Sequence, residues 1–521
     1  MDDNIELIDV VIIGAGFTGL SAAKYFSSKS IKTLVIEGRS RVGGRTLSHK
    51  ITDQQWIIDL GGQWIGPDQH RILSFIKEYN LELIEQTWHH HQPNFLGENL
   101  GLIPLNNKQI ENIIEINSQW DQMALELSSV ECALEYHKSS QWSIISVQQF
   151  IEEHPLANQD LRIQQELKLQ ILTLTACHSN KLSLLYWLIL IRSIPRGLTA
   201  LDDGINGAQH YKISHGSQNV CFEMSKNENI RLNDPVESIN YESQDNILIK
   251  MLSGYKIKCR RLLLAFSPTL LSTINFLPSL SLTNNCPMIM GQCIKTVFIY
   301  SKPFWRNISI NQTDQQGPCS NIFESNNPHA LIGLILGDDA VFWSDKNEDE
   351  LIQAIIKQYE ILYNMNEIPM NTFVQYWTKE NFSKGCYAAV YPPSSSSTWI
   401  DRRKALVDKR IWLASTEMAL EWVGYIEVDE VVPCEQVTSD DPVNDTDNSM
   451  KKKKKKKRDE ETDEPVTQLD ESEKVKKQKK DIENPYNDSN LLEMEGYEGW
   501  NIDSSIEDII KKKEKQKNRK K

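Results

Sequence analysis

Residues 7–46 read LIDVVIIGAGFTGLSAAKYFSSKSIKTLVIEGRSRVGGRT, and this stretch decides the fold. Val10 to Ile13 form an all-apolar run, the mark of a parallel strand buried on both faces. Gly14, Gly16 and Gly19 follow in G-x-G-x-x-G spacing, and a helical pattern continues through Phe26. A second apolar strand, Thr33 to Ile36, ends in Glu37. Strand, helix and strand in this order predict a Rossmann-type dinucleotide site. Gly14 permits the tight turn, Gly16 lets a pyrophosphate approach the backbone, and Gly19 allows the helix to pack closely. The helix N-terminus offers free N–H groups and a positive dipole end to the phosphates. Glu37 can accept hydrogen bonds from both hydroxyls of an adenosine ribose, which disfavours NADP and leaves NAD and FAD to be separated.

The rest of the chain sets bounds. At 521 residues it exceeds one ordinary domain, and roughly 150 residues per domain suggests about three. A net charge of -14 argues against general nucleic-acid binding by the body of the protein. Nine cysteines without paired spacing point to a reducing compartment and not to a disulfide framework, and no metal site is expected. The acidic start, MDDNIELIDVV, predicts no secretory signal. LSLLYWLILI at 182–191 stops at Arg192, about half the roughly 20 residues a membrane span requires, and reads as a buried helix. After about residue 433 blocks of Lys alternate with Asp and Glu, and such a segment cannot bury enough surface to offset its ordering entropy. Residues 433–521 are therefore expected to be a disordered tail. Its run Lys451 to Arg458 reads as a solvated low-complexity segment, with nuclear import or an anionic surface as the alternative.

Further motifs lie outside the first fingerprint: RVGGRT at 41–46, DLGGQWIGP at 59–67, ACHSNKLSLLYWL at 176–188, MGQCIKTVFIYSKPFWR at 290–306 and FSKGCYAAVYPP at 382–393. With these, most of residues 8–427 resembles the flavin-containing amine oxidases, most closely the monoamine oxidases. The resemblance implies FAD in preference to NAD, with Gly14, Gly16, Thr18, Gly19, Glu37, Gly38, Arg39, Gly44, Arg45, Gly61 and Gly62 around the dinucleotide. It implies that Cys386, in the triplet Gly385-Cys386-Tyr387, carries the FAD through a thioether, with Gly385 and the pair Pro392-Pro393 shaping the turn that presents the thiol. Tyr387 and Tyr425 match the two tyrosines that cage the amine in this family; such ring faces attract an amine nitrogen, and a dry site favours its neutral form. Lys295, in an alternating stretch that reads as a strand, matches the lysine tied to reoxidation by oxygen. Val236, in the strand-like RLNDPVESI, matches the residue whose backbone meets the adenine; Glu417, Tyr425 and Ile426 complete the implied cofactor set.

The expected fold is α/β: a glutathione-reductase-like FAD-binding domain from residues 1–85, 206–283 and 380–432, and a discontinuous mixed sheet and helix substrate domain from 86–205 and 284–379. The implied reaction oxidises an amine to imine and aldehyde while oxygen becomes hydrogen peroxide. Partners are then a small-molecule amine and O2, with no nucleic acid expected for the body and a homodimer left open. The sequence departs from the family at Ser415, where the family has glycine, and at Val428-Asp429, where it places Gly-Ala at the start of a helix facing the flavin. The hydrophobic C-terminal anchor of the animal enzymes is not seen to support the mitochondrial outer-membrane association that the family suggests; the expected location is intracellular and cytoplasmic, with nuclear import through the Lys run as the alternative. A polyamine or amino-acid oxidase on the same fold, a degenerate flavin-binding protein without turnover, and an interaction protein acting through its lysine tail stand as alternatives.

Overall fold

The computed structural model describes residues 5–51, 56–86, 105–201, 206–280, 282, 286–307, 317–364, 366–394 and 405–426. The chain divides into two compact units, Met1–Asp440 and Asp441–Lys521, and every described residue belongs to the first. Val428, Asp429 and the lysine-rich tail lie outside the described residues.

Strand β1 (Leu7–Ile13) is buried along Val10 to Ile13 on both faces, as its apolar run requires. It leads through Gly14-Ala15-Gly16 into helix α1 (Phe17–Ser28), which turns Gly19, Leu20, Ala22, Ala23 and Phe26 inward. Strand β2 (Thr33–Ile36) returns parallel to β1, Val10 opposite Thr33. Far along the chain, Leu184–Arg192 forms helix α2, buried from Leu184 through Ile191. The Ser183 hydroxyl caps it by accepting from the Tyr186 N–H at 3.2 Å, and Arg192 ends it by donating to the carbonyls of Leu127 and Ser128. Burial of each such Leu or Ile contributes roughly 1.5–3 kcal/mol, so α2 anchors the helical layer around it. No described helix is long and apolar enough to cross a membrane.

Strand β3 (Lys256–Leu264) extends the first sheet from β1's other edge and also runs parallel to it. The sheet has eight strands, in the order Asn275–Leu277, Val236–Asn240, Ile247–Met251, β3, β1, β2, Ile230–Arg231, with Ile411–Leu413 parallel to the last three residues of β3. Segments from the beginning, middle and end of the described chain thus share one sheet. The stretch 231–239, which reads as a single strand, is two: Ile230–Arg231 and Val236–Asn240 pair on opposite sides of the sheet. Asn233 at φ 59° and Pro235 turn the chain between them, as an Asn-Asp-Pro run favours.

A second, four-stranded antiparallel sheet contains β4 (Cys293–Ile299) between His329–Leu336 and Asn371–Tyr376, with Asn321–Asn326 at the far edge. All seven residues of β4 are buried, Lys295 and Thr296 included. Its apolar and polar alternation therefore does not mark a half-exposed strand; both faces are covered.

Candidate active site

One cavity of about 330 Å³ runs from the glycine loop after β1 to β4 of the second sheet. At the first end its wall is the Gly14-Ala15-Gly16 turn. Gly14 has φ 110°, and a Cβ there would lie 2.4 Å from the Ala265 carbonyl oxygen, so only glycine fits. A Cβ on Gly19 would sit 1.9 Å from the Gly14 oxygen; this glycine lies outside the cavity lining and serves the packing of α1 on the turn. Gly16 differs from both. Its φ is -80°, and a Cβ there would meet nothing nearer than the Gly44 Cα at 3.9 Å. Among the described residues nothing crowds a side chain at 16, and its absence leaves the backbone there open to whatever fills the cavity. The first turn of α1, which includes Thr18, carries no acidic residue and no side-chain cap, leaving its N–H groups and positive dipole end to an anion.

Glu37 is 4% exposed and lies beside this turn. It accepts from the Ala15 N–H at 2.8 Å and from the Arg39 N–H at 2.9 Å, which fixes the carboxylate at the cavity wall. Arg39 pairs with Glu380 at 3.0 Å and donates to the Ser383 hydroxyl at 2.8 Å, while Phe382 covers Gly38. Val236, Gly44, Gly61, Gly62 and Ile426 also line the cavity. A donor-rich turn, a fixed carboxylate and a missing side chain at Gly16 fit the pyrophosphate and ribose of a dinucleotide.

Toward the other end stand Cys386, Tyr387, Tyr425 and Lys295, which the sequence spreads over 130 positions and the two sheets bring together. The Cys386 N–H donates to the Gly291 carbonyl at 2.9 Å, and the Tyr387 carbonyl accepts from Arg45 Nη1 at 2.9 Å, holding the pair from both sides. Burial pushes the Cys386 thiol up to about 11, against the opposing charges of Arg45 and Lys295. Tyr425 packs edge-on against Trp422, and its carbonyl accepts from the Thr416 hydroxyl at 2.8 Å.

Glu417 does not line the cavity. It is fully buried behind the wall, where Arg45 donates to its two oxygens at 2.7 and 3.1 Å and the Ala389 N–H donates at 3.1 Å. Burial alone would raise its pKa; the Arg45 charge and these hydrogen bonds outweigh burial and hold the carboxyl below its usual range. Glu417 thus holds Arg45 and the Ala389 backbone from behind the cavity wall. Ser415 forms part of the wall; its buried hydroxyl makes no hydrogen bond of normal geometry, although it lies near enough to Glu417 to help hold that carboxyl down.

Lys295 is 4% exposed and donates to the Gly61 carbonyl at 2.9 Å and to Gln63 Oε1 at 2.6 Å, with the Trp64 ring centroid 5.3 Å away. Burial lowers its pKa to about 8 despite the opposing pull of Asp59. Gln63, Trp64 and Trp377 also line the cavity, and sequence reasoning did not single them out. Gln63 and Trp64 were in view within DLGGQWIGP, but the glycines beside them carried the motif.

A nucleotide-binding sheet joined to a second sheet by one cavity that holds a thiol, two tyrosines and a lysine defines a dinucleotide-dependent oxidoreductase. The profile of the flavin-containing amine oxidoreductases matches residues 17–428, and the chain belongs to that family. It is similar to a probable flavin-containing monoamine oxidase A of Dictyostelium discoideum, at 29% identity over 81% of this chain and 94% of the relative. It is similar also to flavin-containing amine oxidase B of Homo sapiens, at 26% identity over 80% of this chain and 83% of the relative. Among solved structures, putrescine oxidase bound to putrescine superposes with a TM-score of 0.72 at 20% identity, covering 83% of this chain and 98% of that one. Cyclohexylamine oxidase from Brevibacterium oxydans superposes with a TM-score of 0.69 at 20% identity and the same coverage. The chain is a flavin-dependent amine oxidase.

Proposed function

We propose that this enzyme oxidises a monoamine with an apolar body and holds FAD covalently at Cys386. The observation that carries the substrate reading is the charge inventory of the cavity. Among the described residues its lining includes one carboxylate, Glu37, already fixed by two backbone N–H groups at the nucleotide end. Among the described residues a diamine's second ammonium therefore meets no free carboxylate in the lining. The described lining cations, Arg39, Arg45 and Lys295, are each already engaged, by Glu380, by Glu417, or by Gly61 and Gln63, which disfavours an amino acid's carboxylate. Leu174, Leu190, Phe323 and Leu334 offer an apolar wall instead.

In this reading the α1 N-terminus holds the pyrophosphate, Glu37 the ribose hydroxyls, and Val236 borders the adenine. Tyr387 and Tyr425 present ring faces to the amine nitrogen, exclude water from it and favour its neutral form. Lys295 directs its remaining N–H toward the cavity on the side where oxygen reacts. FAD, when bound, supplies acceptance of the hydrogen from the amine's α carbon and its delivery to oxygen. FAD-domain pieces 1–85, 206–283 and 380–432 and substrate-domain pieces 86–205 and 284–379 remain the proposed division of the body.

The test of the tether is acid precipitation of denatured holoenzyme. Flavin colour is expected to stay with the pellet, and to move to the supernatant in Cys386→Ser. Flavin washing entirely out of the unaltered protein removes Cys386 as the attachment atom. Because the thiol is raised to about 11, attachment to flavin-free protein should quicken with pH, by about tenfold per unit between 7 and 10, as the thiolate fraction grows.

A further inference from the structure

The Lys295 ammonium has three N–H donors. Two are taken by the wall, one by the Gly61 carbonyl at 2.9 Å and one by Gln63 Oε1 at 2.6 Å, so the direction of the third is set by where those acceptors sit. Gln63 is itself 5% exposed and lies in the same wall, with its amide oxygen against the lysine. Among the described residues it is the one side chain that accepts a hydrogen bond from Lys295 Nζ.

Other groups act on Lys295 only through space. The Asp59 carboxylate accepts from the Ser48 hydroxyl at 2.6 Å and from the Ser217 N–H at 3.0 Å, and favours the charged lysine from behind. Cys293 on β4 and Cys386 also favour the charged form when ionised, and Lys212, half-buried nearby, opposes it. The Trp64 ring adds a π face at 5.3 Å. None of these touches Nζ in a way that could aim it. A buried ammonium deprived of a hydrogen-bond acceptor is both misdirected and more easily neutralised.

We propose that Gln63 is the positioning residue that fixes the direction and the charge of the Lys295 ammonium and thereby governs the reaction of the reduced enzyme with oxygen. The proposal rests on the reading of Lys295 as the residue on the oxygen side, and the experiment separates the two. Flavin-loaded enzyme is reduced anaerobically by an amine, giving the rate of the amine half-reaction. The reduced enzyme is then mixed with oxygen across pH, for the unaltered protein and for Gln63→Leu, Gln63→Glu and Lys295→Met. A group that works as a cation is active below its pKa and fails above it, so the oxygen rate of the unaltered enzyme should fall as pH rises through about 8. Gln63→Leu should move that fall about one unit toward acid and slow the oxygen reaction about fivefold at pH 8. Gln63→Glu keeps an acceptor and adds a negative charge, so it should move the fall toward alkali, and it preserves the test should the Leu variant load flavin poorly. Both should change the oxygen reaction more than the amine half-reaction, since Gln63 acts on oxygen reactivity through Lys295.

Identical pH profiles in the unaltered enzyme and both Gln63 variants, with Lys295→Met slow toward oxygen, overturn the role of Gln63 and leave that of Lys295 standing. An oxygen reaction unaffected by Lys295→Met overturns both. A Gln63 variant impaired equally in the two half-reactions, with no displaced profile, also overturns the proposal, because that is the signature of general structural damage.

Discussion

Glu417→Leu is expected to lower the stability of the folded body by about 3–5 kcal/mol and to deplete bound flavin, although residue 417 touches no part of the cavity. The substitution strands the half-buried Arg45 guanidinium, whose charge Glu417 balances through both oxygens, at the cavity wall. Arg45 in turn holds the Tyr387 carbonyl, and Glu417 holds the Ala389 N–H, so the segment that carries Cys386 loses two attachments at once. Thermal unfolding of the flavin-free protein isolates the structural part of the effect. Glu417→Gln, which keeps the shape and one acceptor, should lose less than the Leu variant. Equal melting of the Glu417→Leu variant and the unaltered protein would contradict the account of the pair. The pH dependence follows from the lowered pKa of Glu417. Its contribution is complete above the ordinary carboxylate range and is lost as pH falls through the depressed value.

Gly16→Val and Gly19→Val should separate the needs of the ligand from those of the fold. A side chain at 16 has open space in front of it, whereas one at 19 runs into the Gly14 carbonyl at 1.9 Å. Gly16→Val is therefore expected to melt like the unaltered flavin-free protein and yet purify almost colourless, its branched side chain standing where the pyrophosphate must approach. Gly19→Val should lose stability as well, by about 1–3 kcal/mol from overpacking between α1 and the turn, and with it flavin. The check is paired: flavin absorbance per protein, and the melting midpoint after flavin removal. A Gly16 variant that loads normally would show that the cavity accepts its ligand elsewhere.

The nucleotide end was legible in sequence because its parts are local. Strand, turn, helix and Glu37 fall within 31 residues from Leu7, and each has a physical requirement that the spacing satisfies. Cys386, Tyr387, Tyr425 and Lys295 were found through resemblance to a family, since nothing local says that they share a cavity. The contact of Gln63 was not legible: its partner lies 232 positions away and is set by the packing of β4 against residues 61–63. Glu417 stands in a cofactor motif, and only the packed structure shows that it lies behind the cavity wall and pairs with Arg45. The strand split at 233–235 was signalled by Asn-Asp-Pro, a turn signal that the flanking apolar residues masked.

The central claim, that one cavity holds a flavin against an amine site, is tested most directly by the visible spectrum of the purified enzyme during anaerobic addition of a simple apolar monoamine. The flavin absorbance is expected to bleach on addition and to return when oxygen is admitted, with hydrogen peroxide formed in proportion to the flavin reduced. A flavin-loaded protein whose spectrum is indifferent to monoamines, yet bleaches with a diamine or an amino acid, would contradict the substrate reading; one that bleaches with no amine would contradict the account of the site itself.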